Sequence, residues 1–171
     1  MTIRRSIAAG AVLSAALLLL TVAVVGAASQ RAFVANLTLT GDQEVIAVEG
    51  VVTCAPPMVC GDPDAVGQAR VQIVPAIDRV CARIEWTDVD GSVWGAHIHG
   101  PATTLQAAPI VVPLLMLTPG AADNLSGDDS FEVCVTDPDA DAIAANPSAY
   151  YLNVHSAPDF NPGAIRAQLS D

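Results

Sequence analysis

The chain has 171 residues, of which 18 are acidic and only 7 are basic, and its formal net charge at pH 7 is -11. It contains no lysine, and every acidic residue lies beyond residue 30. Because nucleic acids and anionic membrane surfaces bind basic patches, this composition argues against both as partners.

The N-terminus has the pattern of a secretory signal peptide. Arg4 and Arg5 precede an uncharged stretch that contains a leucine-rich run and ends in small residues near Ala28. We therefore predict a signal peptide over residues 1–28. The uncharged stretch is also long enough to cross a bilayer, so an uncleaved N-terminal membrane anchor stays open as an alternative. Either form predicts a secreted or extracytoplasmic protein of the cell envelope.

Residues 32–171 predict one all-β domain. Short segments of alternating apolar and polar residues are separated by Gly, Pro, Asn and Asp, as in an antiparallel β-sandwich with Greek-key-like connections. The predicted strands number about eight: 33–40, 67–74, 79–87, 93–99, 110–117, 130–135, 150–155 and 164–169. One short helix is expected over residues 139–145, with an aspartate near its start and Pro147 beyond its end.

Three local signals refine this prediction. Asp90-Gly91 is typical of a β-hairpin that leads into the strand at 93–99. Residues 110–117 are apolar throughout and predict a buried strand, in which Pro113 requires a sheet edge or a bulge. Residues 48–66, which carry the first cysteine pair, are expected to form an insertion loop.

The four cysteines of this exported chain predict two disulfides. Cys54 and Cys60 flank a Pro-Pro turn, and Cys81 and Cys134 lie in predicted strands on the faces opposite the apolar stripes. We favour the pairs Cys54–Cys60 and Cys81–Cys134 among the three connectivities. A four-cysteine zinc site is not expected, because no Cys-x2-Cys pair occurs.

All three histidines lie in two strand-like segments. His97 and His99 share one face of the first, and Asn153 and His155 share one face of the second, because strand side chains alternate between faces. If the two strands are neighbours, these side chains converge on one patch. Histidines grouped in this way either bind copper or zinc or form a hydrogen-bonded polar cluster. The fourth histidine that a superoxide dismutase type of dinuclear site would need is absent.

Four motifs follow one another in a fixed order: Leu39–Val45, Ala96–Ala102, Tyr151–Ser156 and Asn161–Leu169. Together they resemble the CHRD domain, a family named for chordin and also found as a single exported domain in many bacteria. The likeness covers residues 32–170. It implies an all-β extracytoplasmic domain with no established catalytic activity.

Carried over position by position, the polar signature of that family implies one binding patch. Its residues here are Gln43, Glu44, His97, His99, Asn153, His155, Arg166 and Gln168. This sequence departs from the family pattern in three places. Ile46-Ala47 replaces a proline pair, Ala164 stands where an acid is common, and the Cys54–Cys60 loop is additional.

The resulting functional interpretation is a non-catalytic binding or structural module. Its expected partners are an extracellular protein or a component of the cell envelope, and a membrane only if the N-terminal segment stays uncleaved. The alternative is an extracytoplasmic metal-binding protein, with a role in storage or redox chemistry, that holds copper or zinc through His97, His99 and His155.

Overall fold

The computed structural model describes residues 31–170, where it contains one α-helix and ten strands. Eight strands form one antiparallel sheet. They are β1 (Phe33–Thr40), β4 (Val66–Val74), β5 (Arg79–Thr87), β6 (Ser92–His99), β7 (Ile110–Met116), β8 (Asp129–Thr136), β9 (Tyr151–Ala157) and β10 (Ile165–Gln168). The predicted signal peptide or anchor at residues 1–28 lies outside this part of the chain. No helix within residues 31–170 is long and apolar enough to span a membrane.

The sheet order is β7-β6-β9-β10-β1-β4-β5-β8. Its two edge strands, β7 and β8, approach each other, so the sheet curls almost into a closed barrel. The predicted all-β antiparallel fold is thus confirmed, with one strongly curved sheet enclosing the core. Several neighbours in this order, such as β6 and β9, are distant in sequence, so the chain crosses repeatedly between non-adjacent strands.

Strand alternation explains how the core is filled. On β4, Ala69, Val71 and Ile73 point inward and are buried, while the residues between them are exposed. Each faces a buried apolar residue of β5, as in the pair Val71 and Ala82. Strands with one apolar face and one polar face are typical of antiparallel sheets that pack one face on the core and expose the other to solvent. The face that this rule leaves outside on β6 and β9 carries the histidines.

The segment expected to be an insertion loop contains a small hairpin. Strands β2 (Ile46–Val48) and β3 (Val51–Cys54) pair with each other and not with the main sheet. Their turn uses Glu49 and Gly50, with φ angles of 52° and 79°. Two consecutive positive φ angles are what a tight two-residue hairpin requires, and the Glu-Gly signal for it was too weak to predict from the sequence.

The hairpin prediction at Asp90-Gly91 is wrong. The connection between β5 and β6 does turn there, with Gly91 at a φ of 81°. However, β5 pairs with β4 and β8, whereas β6 pairs with β7 and β9. The turn therefore carries the chain to a distant part of the sheet. A side chain at Gly91 would meet the carbonyl oxygen of Ala157, which shows that the turn packs against the end of β9.

Strand β7 is an edge strand, as Pro113 required, and its pairing with β6 is interrupted by bulges. The prediction that the strand is buried is wrong, because Ile110 and Met116 at its two ends are exposed. Apolar side chains on both faces of an edge strand reach solvent where no further element covers them.

The helix α1 (Ala140–Ala145) lies where it was expected, and Ala140 and Ile143 on one side of it are buried in the core. Both favoured disulfides are present. The pair Cys81–Cys134 joins directly opposed positions of β5 and β8, on the outer face of the sheet. Such oxidised pairs are typical of exported proteins.

Candidate functional site

The histidine cluster is built by strand register. Residues directly opposite each other on antiparallel strands project from the same face. Three such rows cross from β6 to β9 on the outer face of the sheet: Gly95 with His155, His97 with Asn153, and His99 with Tyr151. Strand β10 extends two of the rows, because Arg166 lies opposite Asn153 and Gln168 lies opposite Tyr151.

The three imidazoles meet on this face. One nitrogen from each of His97, His99 and His155 lies within 4.8 Å of the others. The ring centroids are 4.9 Å apart for His97 and His155 and 5.9 Å apart for His99 and His155. All three side chains are buried, and His97 has no exposed surface. Strands β6 and β9 are therefore neighbours, and the three histidines converge on one face of the sheet.

Backbone carbonyls fix the orientation of two of the rings. The Nδ1 atom of His99 is 2.9 Å from the carbonyl oxygen of Ala108, and the Nδ1 atom of His155 is 2.9 Å from that of Asn161. A carbonyl can only accept, so each Nδ1 carries the proton and donates it. The lone pair of each ring is then on Nε2. Neither Nε2 has a hydrogen-bond partner within residues 31–170.

Burial also holds the imidazoles in their neutral form. Desolvation, together with the nearby His155 and His99, lowers the pKa of His97 to about 3. Desolvation is likewise the main cause that lowers the pKa of His155 to about 4 and depresses the pKa of His99. Neutral imidazoles with free lone pairs are the form in which histidine binds metal ions.

Gly95 provides the room for this cluster. A Cβ atom at that position would lie 2.9 Å from Cε1 and 3.3 Å from Nε2 of His97. The β6–β9 register shifts between Val93 and Gly95. Trp94 lies at this irregularity, with its ring 5.1 Å from that of His155. Bulges of this kind redirect side chains next to functional sites.

Glu44 closes the cluster from the side of β1. Its carboxylate accepts a hydrogen bond from Asn153 at 2.7 Å and another from the backbone of Val45 at 3.0 Å. Burial raises the pKa of Glu44 to about 7, although both hydrogen bonds and the charge of Arg166 act in the opposite direction. The Glu44 carboxyl group is thus almost fully buried, and Asn153 lies between it and His97.

Arg166 and Gln168 hold the loop of residues 100–109, which contacts His99. Arg166 donates to the carbonyl oxygens of Gln106 and Thr103, each at 3.0 Å. Gln168 donates to the carbonyl oxygens of Ala102 and Ser148, each at 2.8 Å. Since the same loop presents the Ala108 carbonyl to His99, these two side chains position a ring of the cluster indirectly.

Tyr151 links Arg166 to His99. The guanidinium carbon of Arg166 lies 3.5 Å from the centroid of the tyrosine ring, and the rings of Tyr151 and His99 stack at 4.9 Å with an interplanar angle of 5°. The tyrosine hydroxyl also accepts a hydrogen bond from the backbone of Ala108. Cation–π and stacking contacts of this kind restrict the rotation of the imidazole.

Comparison with known proteins assigns the family. The family model for the CHRD domain matches residues 35–169, nearly the whole chain. The chain belongs to the CHRD domain family. No curated protein and no solved structure matches it significantly.

The polar signature of this CHRD domain is not a surface patch. Seven of its eight predicted residues are buried: Glu44, His97, His99, Asn153, His155, Arg166 and Gln168. Gln43 is half-buried and lies apart, since it donates to the carbonyl of Thr38 and the hydroxyl of Thr40 in its own segment. The seven buried residues divide into a histidine cluster with Asn153 and Glu44, and a pair that anchors the loop of residues 100–109.

The donors of this CHRD domain fit a transition metal. Imidazole nitrogens suit copper and zinc, and metal–nitrogen bonds of about 2.0–2.1 Å place tetrahedral ligands roughly 3.4 Å apart. The observed limit of 4.8 Å lies above that value, so the rings would need to move together by less than about 1.5 Å. Histidine ligands in metal sites are commonly oriented by Nδ1–carbonyl bonds of this kind.

Sequence reasoning missed three contributors to the site. Gly95 and Met116 form a directly opposed pair on β6 and β7, and Tyr151 stacks on His99. The period of two puts Tyr151 on the same face as Asn153 and His155, and this signal could have found it. No sequence signal revealed Met116, because its position depends on the pairing of two strands and on the bulges between them.

Proposed function

We propose that this CHRD-domain protein is an exported, non-catalytic module that binds one transition metal ion, copper or zinc, through His97, His99 and His155. The observation that carries the proposal is the pair of buried Nε2 atoms of His99 and His155, whose lone pairs have no donor within residues 31–170. A buried acceptor left without a partner costs about 1–3 kcal/mol. A metal ion at the centre of the cluster satisfies both nitrogens together.

The burial of the site supports a small ligand over a macromolecule. His99 and His155 retain 8% and 7% of their surface, and His97 retains none. A protein partner cannot reach these groups, whereas an ion can. The cluster therefore serves the binding role expected of this module through an ion, and any docking of an extracellular protein or envelope component involves a different face.

Export is part of the same proposal. Residues 1–28 supply the signal peptide or anchor, and the two disulfides of the domain are consistent with an oxidising compartment. Outside the cytoplasm the protein meets metal ions without the cytosolic thiols that compete for copper. The negative net charge of -11 favours the approach of cations over a long range.

Calorimetric titration of the purified full-length protein with Cu²⁺ and Zn²⁺ tests the proposal. The chain has no histidine outside the cluster, so binding that depends on histidine reports on this site alone. We expect a stoichiometry of one. The variants His99→Asn and His155→Asn place an amide N–H near the position of Nδ1, which keeps the carbonyl contact, and they remove Nε2. Each is expected to lower the affinity at least a hundredfold.

A carboxylate cluster elsewhere offers the matched control. Asp62, Asp64 and Asp90 also bring oxygen atoms within 4.8 Å of one another, and Asp64 and Asp90 are exposed. The double variant Asp64→Asn/Asp90→Asn should leave copper and zinc binding unchanged. Loss of binding in this variant, with full binding in His99→Asn, would contradict the proposal.

A further inference from the structure

We infer that Met116 is a fourth ligand of the histidine cluster and makes the site selective for copper(I). This inference rests on the proposed function, because it requires that the three histidines hold a metal. It adds a residue from β7 that no motif singled out. It also distinguishes copper from zinc, both of which are suited to imidazole ligands.

The thioether sulfur lies at the cluster. Met116 Sδ is 2.7 Å from Nε2 of His97. Because a thioether only accepts, this nitrogen carries the proton in the metal-free protein. An ion that takes the place of this proton reaches both atoms, and the proton moves to Nδ1, which has no hydrogen-bond partner within residues 31–170. The residue is opposite Gly95 in the β6–β7 pairing. Since Gly95 has no side chain, Met116 extends over it toward His97 without obstruction.

The chemistry of a thioether separates the two metals. Zinc in proteins is bound by thiolate, imidazole and carboxylate groups, and thioether is not among its usual ligands. Copper(I) is a soft ion that favours thioether and thiolate sulfur together with imidazole. All four cysteines are oxidised in disulfides, so Met116 supplies the soft donor of the cluster.

Met116 also provides the adjustment and the access that the site needs. A metal between Nε2 and Sδ requires a longer separation than 2.7 Å, so the sulfur has to move outward. Met116 is 59% exposed, and methionine has three rotatable bonds, so this movement meets little resistance. The same exposure gives an arriving ion a route past Met116 to an otherwise buried cluster.

Competition for copper(I) against a chromogenic copper(I) chelator under anaerobic conditions, and for zinc against a zinc-sensitive dye, tests the inference. Met116→Leu keeps the volume and removes the sulfur. We expect the affinity for copper(I) to fall at least tenfold and the affinity for zinc to change less than twofold. Met58→Leu is the matched control, because Met58 is 57% exposed and lies in the Cys54–Cys60 loop. It should change neither affinity.

X-ray absorption at the copper edge gives an independent readout. The copper(I) form of the wild-type protein should show nitrogen and sulfur neighbours, and the sulfur contribution should disappear in Met116→Leu. Equal losses for copper(I) and zinc in Met116→Leu, or no loss for either, would overturn the role of Met116 and leave the histidine site intact. A wild-type protein that binds neither metal would overturn the proposed function together with this inference.

Discussion

Asn153 donates a hydrogen bond of 2.7 Å to Glu44 and lies directly opposite His97 in the β6–β9 pairing. The segment that follows β1 is thereby joined to the strand that carries His155, although 109 residues separate the two partners. The hydrogen bonds from Asn153 and Val45 explain why a carboxyl group is tolerated in this buried position, since together they satisfy both of its oxygens.

The first prediction concerns Glu44 and pH. Its pKa is 4.5 in the unfolded chain and about 7 in the folded protein, so the folded state binds more protons between these values and the stability falls as the pH rises. Glu44→Gln removes this titration. Its stability relative to the metal-free wild type should therefore rise by up to about 3 kcal/mol from pH 4 to pH 8. Urea denaturation at a series of pH values measures the difference, and a difference independent of pH would contradict burial of the ionisable group.

The second prediction concerns metal binding in mild acid. The low pKa values of His97 and His155 keep both rings neutral at pH 5.5, so protons compete weakly with the metal. If each imidazole had an ordinary pKa, its protonation at that pH would lower the metal affinity about tenfold, and the three together would lower it roughly a thousandfold. We expect the affinity to fall less than tenfold between pH 7.5 and 5.5 in calorimetric titrations. A thousandfold loss would show that the rings titrate as exposed histidines.

The third prediction concerns the space above Gly95. Alanine there places a methyl group 2.9 Å from Cε1 of His97, which displaces the ring from the cluster. Gly95→Ala should lower the metal affinity at least tenfold and destabilise the protein by about 1–3 kcal/mol. Gly67→Ala is the matched control, because its new methyl group would crowd Ile165 in the core. It should destabilise the fold and leave the metal affinity unchanged; equal affinities for both variants would contradict the role of Gly95.

The fourth prediction compares the two disulfides. Cys81 and Cys134 are 53 residues apart, whereas Cys54 and Cys60 are 6 apart. A disulfide that closes a longer loop removes more chain entropy from the unfolded state. Loss of the Cys81–Cys134 bond should therefore lower the free energy of unfolding by about 4 kcal/mol, and loss of the Cys54–Cys60 bond by about 2 kcal/mol. Paired Cys→Ala variants measured by urea denaturation provide the comparison. A larger loss for the Cys54–Cys60 pair would contradict the loop-entropy explanation.

Local periodicity made the strands and the shared faces of the histidines predictable. The strands at 33–40 and 79–87 begin and end as expected, and the other six predicted strands differ by at most two residues at either end. The pattern of period two also placed His97 beside His99, and Asn153 beside His155. These features depend on residues that are close in sequence, which is why the sequence alone reveals them.

Non-local pairing limited the rest of the prediction. The Asp90-Gly91 turn has the local chemistry of a hairpin, yet β6 pairs with the distant β9, because the apolar faces of the whole sheet determine strand order. The contacts of Arg166 with the loop of residues 100–109 join positions about 60 residues apart in the chain. Neither relationship can be predicted from one segment of the sequence, because each depends on residues that are far apart in the chain.

Elemental analysis of the exported native protein, purified without chelator, tests the central claim most directly. The account predicts one copper or zinc ion per chain in the wild-type protein and less than a tenth of that amount in His99→Asn. A folded wild-type protein without stoichiometric metal, and with no rise in melting temperature on addition of copper or zinc, would contradict it.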